Sequence, residues 1–436
     1  MSEISSPNRE QRKSLIAGAV GNFVEWFDYG IYGFLAVTIS TVFFPSDDPT
    51  AALLATFGIF ALPVITRPLG GVFFARFGDT IGRKQTLSLV LILMSLSTAG
   101  IGFIPSYEAI GVAAPILLIV ARIIQGFSAG GEYAGGAALI AESSPPAKRG
   151  FLVSFMPAST GLGLLAGSLM AFLLSSTLSP EAMHDWGWRV AFILALPLGA
   201  IGLYIRLKLE ETDAFRELVS TGDVATSPLK ETISQHGHRV LQVAGIALAQ
   251  TVCYYVLLVY TPTFMRTDLG LQQWQSLLST SLAIAFYVAT IVVSGRISDR
   301  TGRKPLMIIG GVLMLLAVFP TFFLMPVAPF FLVATLQSLT GGIALGIYTG
   351  PLVCSWVELF PTRVRYSGVA AGFSLAVIVS VSSPFVLTWL ISTTGSKLMP
   401  AIYVAASCVV SLLTLIKTPE TAPAKDNENI FAMEKN

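Results

Sequence analysis

The sequence predicts an all-α membrane protein with twelve transmembrane helices in two pseudo-symmetric six-helix bundles. Composition, the spacing of apolar runs and an internal repeat lead to that reading. Of 436 residues, 53% are hydrophobic and only 12% are charged, against about 25% charged in ordinary soluble domains. Mean hydropathy is +0.72. The net charge of +2 says little, because in such a chain the distribution of charge matters more than its sum.

A helix needs about 20 mostly apolar residues to cross a bilayer. Twelve stretches qualify, at residues 15–40, 51–76, 86–104, 112–141, 150–175, 189–206, 240–264, 276–297, 305–325, 328–357, 366–393 and 399–417. Residues 1–14 are polar, no small-residue cleavage pattern follows the first run, and that run holds two carboxylates. It is therefore expected to be a retained span, not a signal peptide. The long polar connection at 207–239 divides the chain. The expected organisation is an N-terminal bundle at 1–206, a cytoplasmic linker at 207–239, and a C-terminal bundle with a short tail at 240–436.

Lysine and arginine set the orientation. Arg12, Lys13, Arg83, Lys84, Lys148, Arg149, Arg206, Lys208, Arg239, Arg303, Lys304, Arg363 and Arg365 fall on the side shared by the termini. The opposite connections offer Arg266 and Lys397, with Arg189 at the mouth of a span. Termini and linker are thus expected in the cytoplasm.

The repeat makes the two halves copies of parallel topology. RFGDTIGRK (76–84), after the second span, matches RISDRTGRK (296–304), after the eighth, at an offset of 220. ESSPPAKRG (142–150) matches ELFPTRVRYSG (358–368) at an offset of 216, aligning Glu142, Pro145 and Arg149 with Glu358, Pro361 and Arg365. Glu211-Thr212 and Glu420-Thr421 end the two halves alike.

Two six-helix copies with D-x-x-G-R-K between their second and third spans resemble the major facilitator superfamily. More narrowly, GNFVEWFDYGIYGF (21–34), RPLGG (67–71) and RIIQGFSAGGEYAGGAALIAESSPPAKRG (122–150) resemble the metabolite:proton symporter family. FFPSDDPTAALLATF, WGWRVAFILALPLGAIGLYIR (186–206) and LEETDAF look most like its proline/glycine-betaine transporters. The resemblance implies a secondary transporter that binds solute between its halves near the midplane and rocks one against the other. It also implies gating by Asp79, Gly82, Arg83, Glu142, Arg149, Asp299, Gly302, Arg303, Glu358 and Arg365, whose charged pairs would latch one face. The first latch is expected to be the weaker, since Thr80 stands where the second copy has Arg300. Some osmosensing relatives carry a long C-terminal coiled coil. Here the chain ends about 19 residues after the last apolar run, so that device is not expected.

Charge inside a membrane is costly and usually faces a water-filled cavity. Glu25 and Asp28 lie three apart on the first span, hence on one helical face. With Arg67, Arg122 and Glu132 they make an intramembrane set confined to the first half. Carboxylates beside an arginine are a setting that tunes proton affinity, so Glu25, Asp28 and Glu132 are the proton-coupling candidates. Arg122, Gln125, Tyr29, Tyr32, Tyr133, Tyr254 and Tyr255 are the substrate-binding candidates. Arg122 would serve as counter-ion to the acids or as anchor for a carboxylate, while aromatic faces hold a quaternary ammonium at about 0.5–2 kcal/mol per contact. Together they suit a zwitterion.

The glycines of spans four and five read as close helix packing. Pro63, Pro68, Pro157, Pro262, Pro351 and Pro384 mark bends. The three cysteines lie in apolar runs and the three histidines in polar connections, so neither a metal site nor a disulfide framework is expected. No cofactor is expected. Nor is a nucleophile–base pair visible, or a phosphate-binding G-x-x-x-x-G-K-[ST] run, which argues against an enzyme and an ATP-driven pump. The expected function is a proton-coupled symporter in a bacterial inner membrane, importing proline, glycine betaine or a similar solute. The alternative is symport of carboxylates such as citrate, dicarboxylates, oxoglutarate or shikimate. Expected partners are the solute, protons and the lipid bilayer, with no nucleic acid and no obligatory protein.

Overall fold

In hydrocarbon every backbone N–H and C=O must be satisfied within the protein, which favours helices throughout. The computed structural model describes residues 9–81, 83–129, 132–142, 144–208, 228–361 and 364–422, and all its regular elements are helical. Nine of the described helices are long and apolar enough to cross a membrane, and two shorter apolar ones lie at Ser88–Phe103 and Ala113–Ser128. With the first span, Arg9–Phe34 continuing as Ala36–Phe43, they give the twelve expected.

The second and third spans are Pro49–Ile81 and Arg83–Phe103. The fourth is Ala113–Ser128 followed by Glu132–Glu142. The fifth joins Arg149–Val153 to Phe155–Thr177, and the sixth joins Trp188–Ile193 to Ala195–Lys208. The eighth, ninth and twelfth are single helices, Gln273–Thr301, Arg303–Leu324 and Met399–Lys417. The eleventh runs as Arg365–Val381 and Ser383–Thr394, with Pro384 in the first turn of its second part.

The seventh and tenth spans change pitch at mid-length. Pro228–Cys253 widens into a π-helix at Tyr254–Tyr260 and resumes as Thr261–Thr267, with Pro262 at the restart. Phe330–Gln337 widens at Ser338–Ala344 and resumes as Leu345–Glu358. Such widened turns release backbone groups and gather at functional sites. Here the Gln337 amide donates to the Leu257 carbonyl at 2.9 Å, and Ser279 holds the Gln337 oxygen at 2.6 Å. The two π-turns are thereby tied to each other and to the eighth span.

The fifth and eighth spans run antiparallel and join the first six spans to the last six along their length. Gly150 meets Asp299, Gly295 meets Ser154, Gly161 meets Val288, and Ser168 shares a 2.8 Å hydrogen bond with Ser281. A Cβ on Gly161 would lie 2.6 Å from Val288, and one on Gly295 would lie 2.5 Å from Ser154. Glycine at these crossings permits the backbone approach that lipid-embedded helices rely on.

Candidate functional site

The two acids of the first span are both buried, Glu25 at 2% exposure and Asp28 at 3%. Although they share a face, they turn to different helices. Glu25 pairs with Arg67 of the second span. Asp28 accepts from Gln125 Nε2 of the fourth span at 2.6 Å, and the same amide nitrogen donates to Thr98 of the third at 2.8 Å. Gln125 Oε1 in turn accepts from Arg122 at 3.0 Å. The fully buried Arg122 also donates to the Phe60 carbonyl at 3.2 Å. Its guanidinium lies 4.3 Å from the Tyr32 ring centre and 5.3 Å from that of Tyr29. Arginine tolerates such a setting because its planar head combines hydrogen bonding in the plane with stacking on aromatic faces. Asp28 keeps one oxygen, Oδ1, without a hydrogen bond.

Beside this network is a small cavity. Its wall combines Trp26 of the first span, Tyr133 of the fourth, Pro157 and Thr160 of the fifth, and Gln250, Thr251, Tyr254 and Tyr255 of the seventh. Tyr287 of the eighth span and Phe373 and Val377 of the eleventh complete it. None of these residues carries a formal charge. Trp26 meets Tyr254 edge-on at 5.0 Å between ring centres, and Tyr255 lies 6.3 Å from Trp26. Tyr133 stacks on Phe373 at 4.8 Å. The π-turn of the seventh span begins at Tyr254, so the change of pitch falls where that helix enters the wall. The space open to water measures about 10 Å³, room for about one water molecule. This is a closed conformation.

Contacts between the first six and the last six spans close both ends. At the end nearer the termini, Asp299 accepts from the backbone N–H of Gly150 at 2.8 Å and of Phe151 at 2.9 Å, and from Arg303 at 2.8 Å. Glu358 meets Arg303 at 3.4 Å and Arg149 at 3.8 Å, and Arg365 reaches Glu142 at 3.3 Å. An acid aimed at the first N–H groups of a helix, here Arg149–Val153, is favoured by the helix dipole. Gly302 turns the chain between the eighth and ninth spans at φ 99°, a conformation that glycine adopts without steric cost. Glu420 accepts from the N–H groups of Arg303 at 2.8 Å and Lys304 at 3.1 Å, closing that turn. At the opposite end Ser168 bonds Ser281, and Phe57 meets Tyr260 edge-on at 6.0 Å.

The sequence model of the Major Facilitator Superfamily matches residues 18–365. The glycine betaine/proline/ectoine/pipecolic acid transporter OusA of Dickeya dadantii is 40% identical over 423 residues, 94% of this chain and 84% of that one. The proline/betaine transporter of Escherichia coli K12 is 38% identical over 424 residues, with the same coverage. This chain belongs to the major facilitator superfamily. Its fold agrees. The crystal structure of a D-xylose–proton symporter superposes with a TM-score of 0.76 at 22% identity, covering 94% of this chain and 98% of that one. A partially occluded inward-open xylose transporter from Escherichia coli gives 0.75 at 20%, covering 95% and 99%. At such identities the likeness speaks for the fold alone. The protein is thus a multi-pass membrane transporter of this superfamily.

Within this major facilitator chain the sequence-predicted residues separate into groups. Tyr133, Tyr254 and Tyr255 do line the cavity. Arg122, Gln125, Tyr29 and Tyr32, expected to touch substrate, do not. Arg122 bonds Gln125 and the Phe60 carbonyl and lies over the faces of Tyr29 and Tyr32 in this conformation. The latch residues of the second copy and the Glu142, Arg149, Glu358 and Arg365 set meet as pairs. Gly82 and the side chains of Asp79, Arg83 and Glu132 lie outside the described residues. Trp26 and Gln250, which the sequence places beside these aromatics, also line it, and the wall residues that the sequence did not single out are Thr160, Thr251, Tyr287, Phe373 and Val377. Tyr287 had a signal: it is the one tyrosine in the core of the eighth span, LLSTSLAIAFYVATIVVSG.

Proposed function

We propose that this transporter is a proton-driven symporter that imports a small zwitterion, with proline and glycine betaine as its solutes. The supporting observation is the aromatic-walled, uncharged cavity between the first six and the last six spans, with contacts between the two sets at either end. Rings of Trp26, Tyr133, Tyr254, Tyr255 and Tyr287 offer faces to a cation without a formal charge to compete. The relatives named above, with their proline and betaine substrates, favour the same solutes.

Residues 1–206 and 240–436 act as two bundles joined by the 207–239 linker, with both termini and the linker in the cytoplasm of a bacterial cell. Transport alternates which end of the cavity is open. Opening toward the cytoplasm breaks the bonds of Asp299 to Gly150 and Phe151 and the ion pairs across Glu358 and Arg365. Opening outward parts Ser168 from Ser281 and Phe57 from Tyr260. The cavity must widen in either case, because a single-water space admits no amino acid.

Asp28 is the proton carrier in this reading. Its partner is a neutral amide, and one of its oxygens is free of hydrogen bonds, whereas Glu25 is engaged with Arg67. Protonating Asp28 weakens its hold on Gln125, and through Gln125 changes the setting of Arg122. The network joins spans one, three and four, so the proton alters how the helices of the first bundle pack. A carboxylate symporter would present a cation to its solute. Here neither Arg67 nor Arg122 lines the cavity, which disfavours that alternative.

Counterflow in proteoliposomes tests the reading, with proline, glycine betaine, citrate, shikimate and oxoglutarate offered in parallel. Exchange of proline and glycine betaine alone is expected. Exchange of citrate or shikimate with neither zwitterion moving overturns it.

A further inference from the structure

Besides the Tyr287 hydroxyl, three buried polar atoms on the cavity wall have no hydrogen-bond partner: Nε1 of Trp26, the hydroxyl of Tyr254 and Oε1 of Gln250. Their residues are 7%, 2% and 8% exposed. A buried polar group left unpaired costs free energy that a correctly shaped ligand can recover. The three are not equivalent. The indole N–H only donates, the phenol can donate, and the amide oxygen only accepts. Trp26 and Tyr254 also lie side by side, with ring centres 5.0 Å apart.

We infer that these atoms divide the solute between them: Trp26 Nε1 and the Tyr254 hydroxyl donate to its carboxylate, and Gln250 Oε1 accepts from an ammonium N–H. This inference rests on the proposed zwitterionic substrate and goes beyond it by separating the two solutes. A carboxylate needs donors, and two uncharged donors serve it through charge-assisted bonds. That removes the need for Arg122 to enter the cavity. The Gln250 contact is selective by chemistry. Proline's secondary ammonium carries N–H donors, whereas the quaternary nitrogen of glycine betaine carries none. Gln250 is therefore a specificity-determining residue that favours proline, while the rings serve both cations.

The test uses purified full-length protein in proteoliposomes, with KM measured for proline and glycine betaine. Choline, which has the quaternary ammonium but no carboxylate, serves as competitor. Gln250→Leu is expected to raise the KM for proline about tenfold, the cost of one lost bond to a charged group, and to leave that for glycine betaine within about twofold. Trp26→Phe and Tyr254→Phe keep an aromatic ring and lose the donor. Each is expected to raise both KM values about tenfold without changing competition by choline. Detergent-solubilised thermal unfolding identifies any variant that fails to fold, and either phenylalanine variant alone suffices for the carboxylate contact. Equal effects of Gln250→Leu on both solutes, or unchanged KM values in a folded phenylalanine variant, overturn the inference while leaving the substrate reading intact. Wild-type protein that transports neither zwitterion overturns the substrate reading and the inference together.

Discussion

Gln125 donates to Asp28 at 2.6 Å, and this neutral amide, rather than a direct ion pair with Arg122, holds the acid of the first span. The arrangement leaves the carboxylate buried beside a fixed positive charge it does not touch. A proton arriving at Asp28 meets no competing salt bridge, and its effect passes to three helices at once through Gln125, Thr98 and Arg122.

Asp28→Asn preserves the shape of the side chain and its bond to the fourth span but cannot gain or lose a proton. Solute exchange at equal concentrations should continue, while proton-driven accumulation falls to the equilibrium level. Parallel counterflow and accumulation assays separate these outcomes, and accumulation at the wild-type level would remove Asp28 from the coupling step.

The Glu25–Arg67 pair links the first span to the second, and in the proposed reading it only holds them together. Glu25→Gln strands a buried guanidinium, and breaking a buried pair from one side costs about 3–5 kcal/mol. Replacing both partners by Glu25→Leu and Arg67→Met should restore most of that loss, as apolar substitution of a whole pair often does. Thermal unfolding in detergent reads both values. A double variant as unstable as the single one would contradict a purely structural role.

Asp299 holds the N-terminus of the Arg149–Val153 helix across the two sets of spans. Asp299→Asn removes the charge from its bonds to Gly150 and Phe151 and from its pair with Arg303. The end nearer the termini should open more often, by about tenfold at the strength of one charge-assisted bond. Ser154→Cys, buried against Gly295 in the closed conformation, reports the change as faster maleimide labelling. An unchanged labelling rate would mean that other contacts keep this end shut.

Much of the architecture was legible in the chain because membrane helices are written in local composition. Twelve apolar runs give twelve spans, and the repeated D-x-x-G-R-K and E-x-x-P motifs locate charged residues that pair in the structure, Asp299 with Arg303 and Arg149 with Glu358. Pairings across helices were less legible, since they depend on how each helix is rotated against its neighbours. Glu25 and Asp28 share a face by periodicity, yet a 60° difference in direction sends one to the second span and the other to the fourth. Arg122 reads as an available cation until Tyr29, Tyr32 and Phe60 are seen around it. Cys253 and Cys408, far apart in sequence, lie with sulfurs 3.9 Å apart, which no local pattern signals. The π-turns at Tyr254 and Ser338 were equally hidden, because widening a turn is a response to packing.

The central claim, that a proton gradient drives a zwitterion through this cavity, is tested most directly in proteoliposomes held at a fixed membrane voltage. Proline accumulation is followed while the pH gradient across the vesicle wall is abolished with a protonophore-free buffer exchange. The account predicts that the driving force contributed by the pH gradient disappears and accumulation drops to the level set by voltage alone. Accumulation that continues undiminished would contradict it.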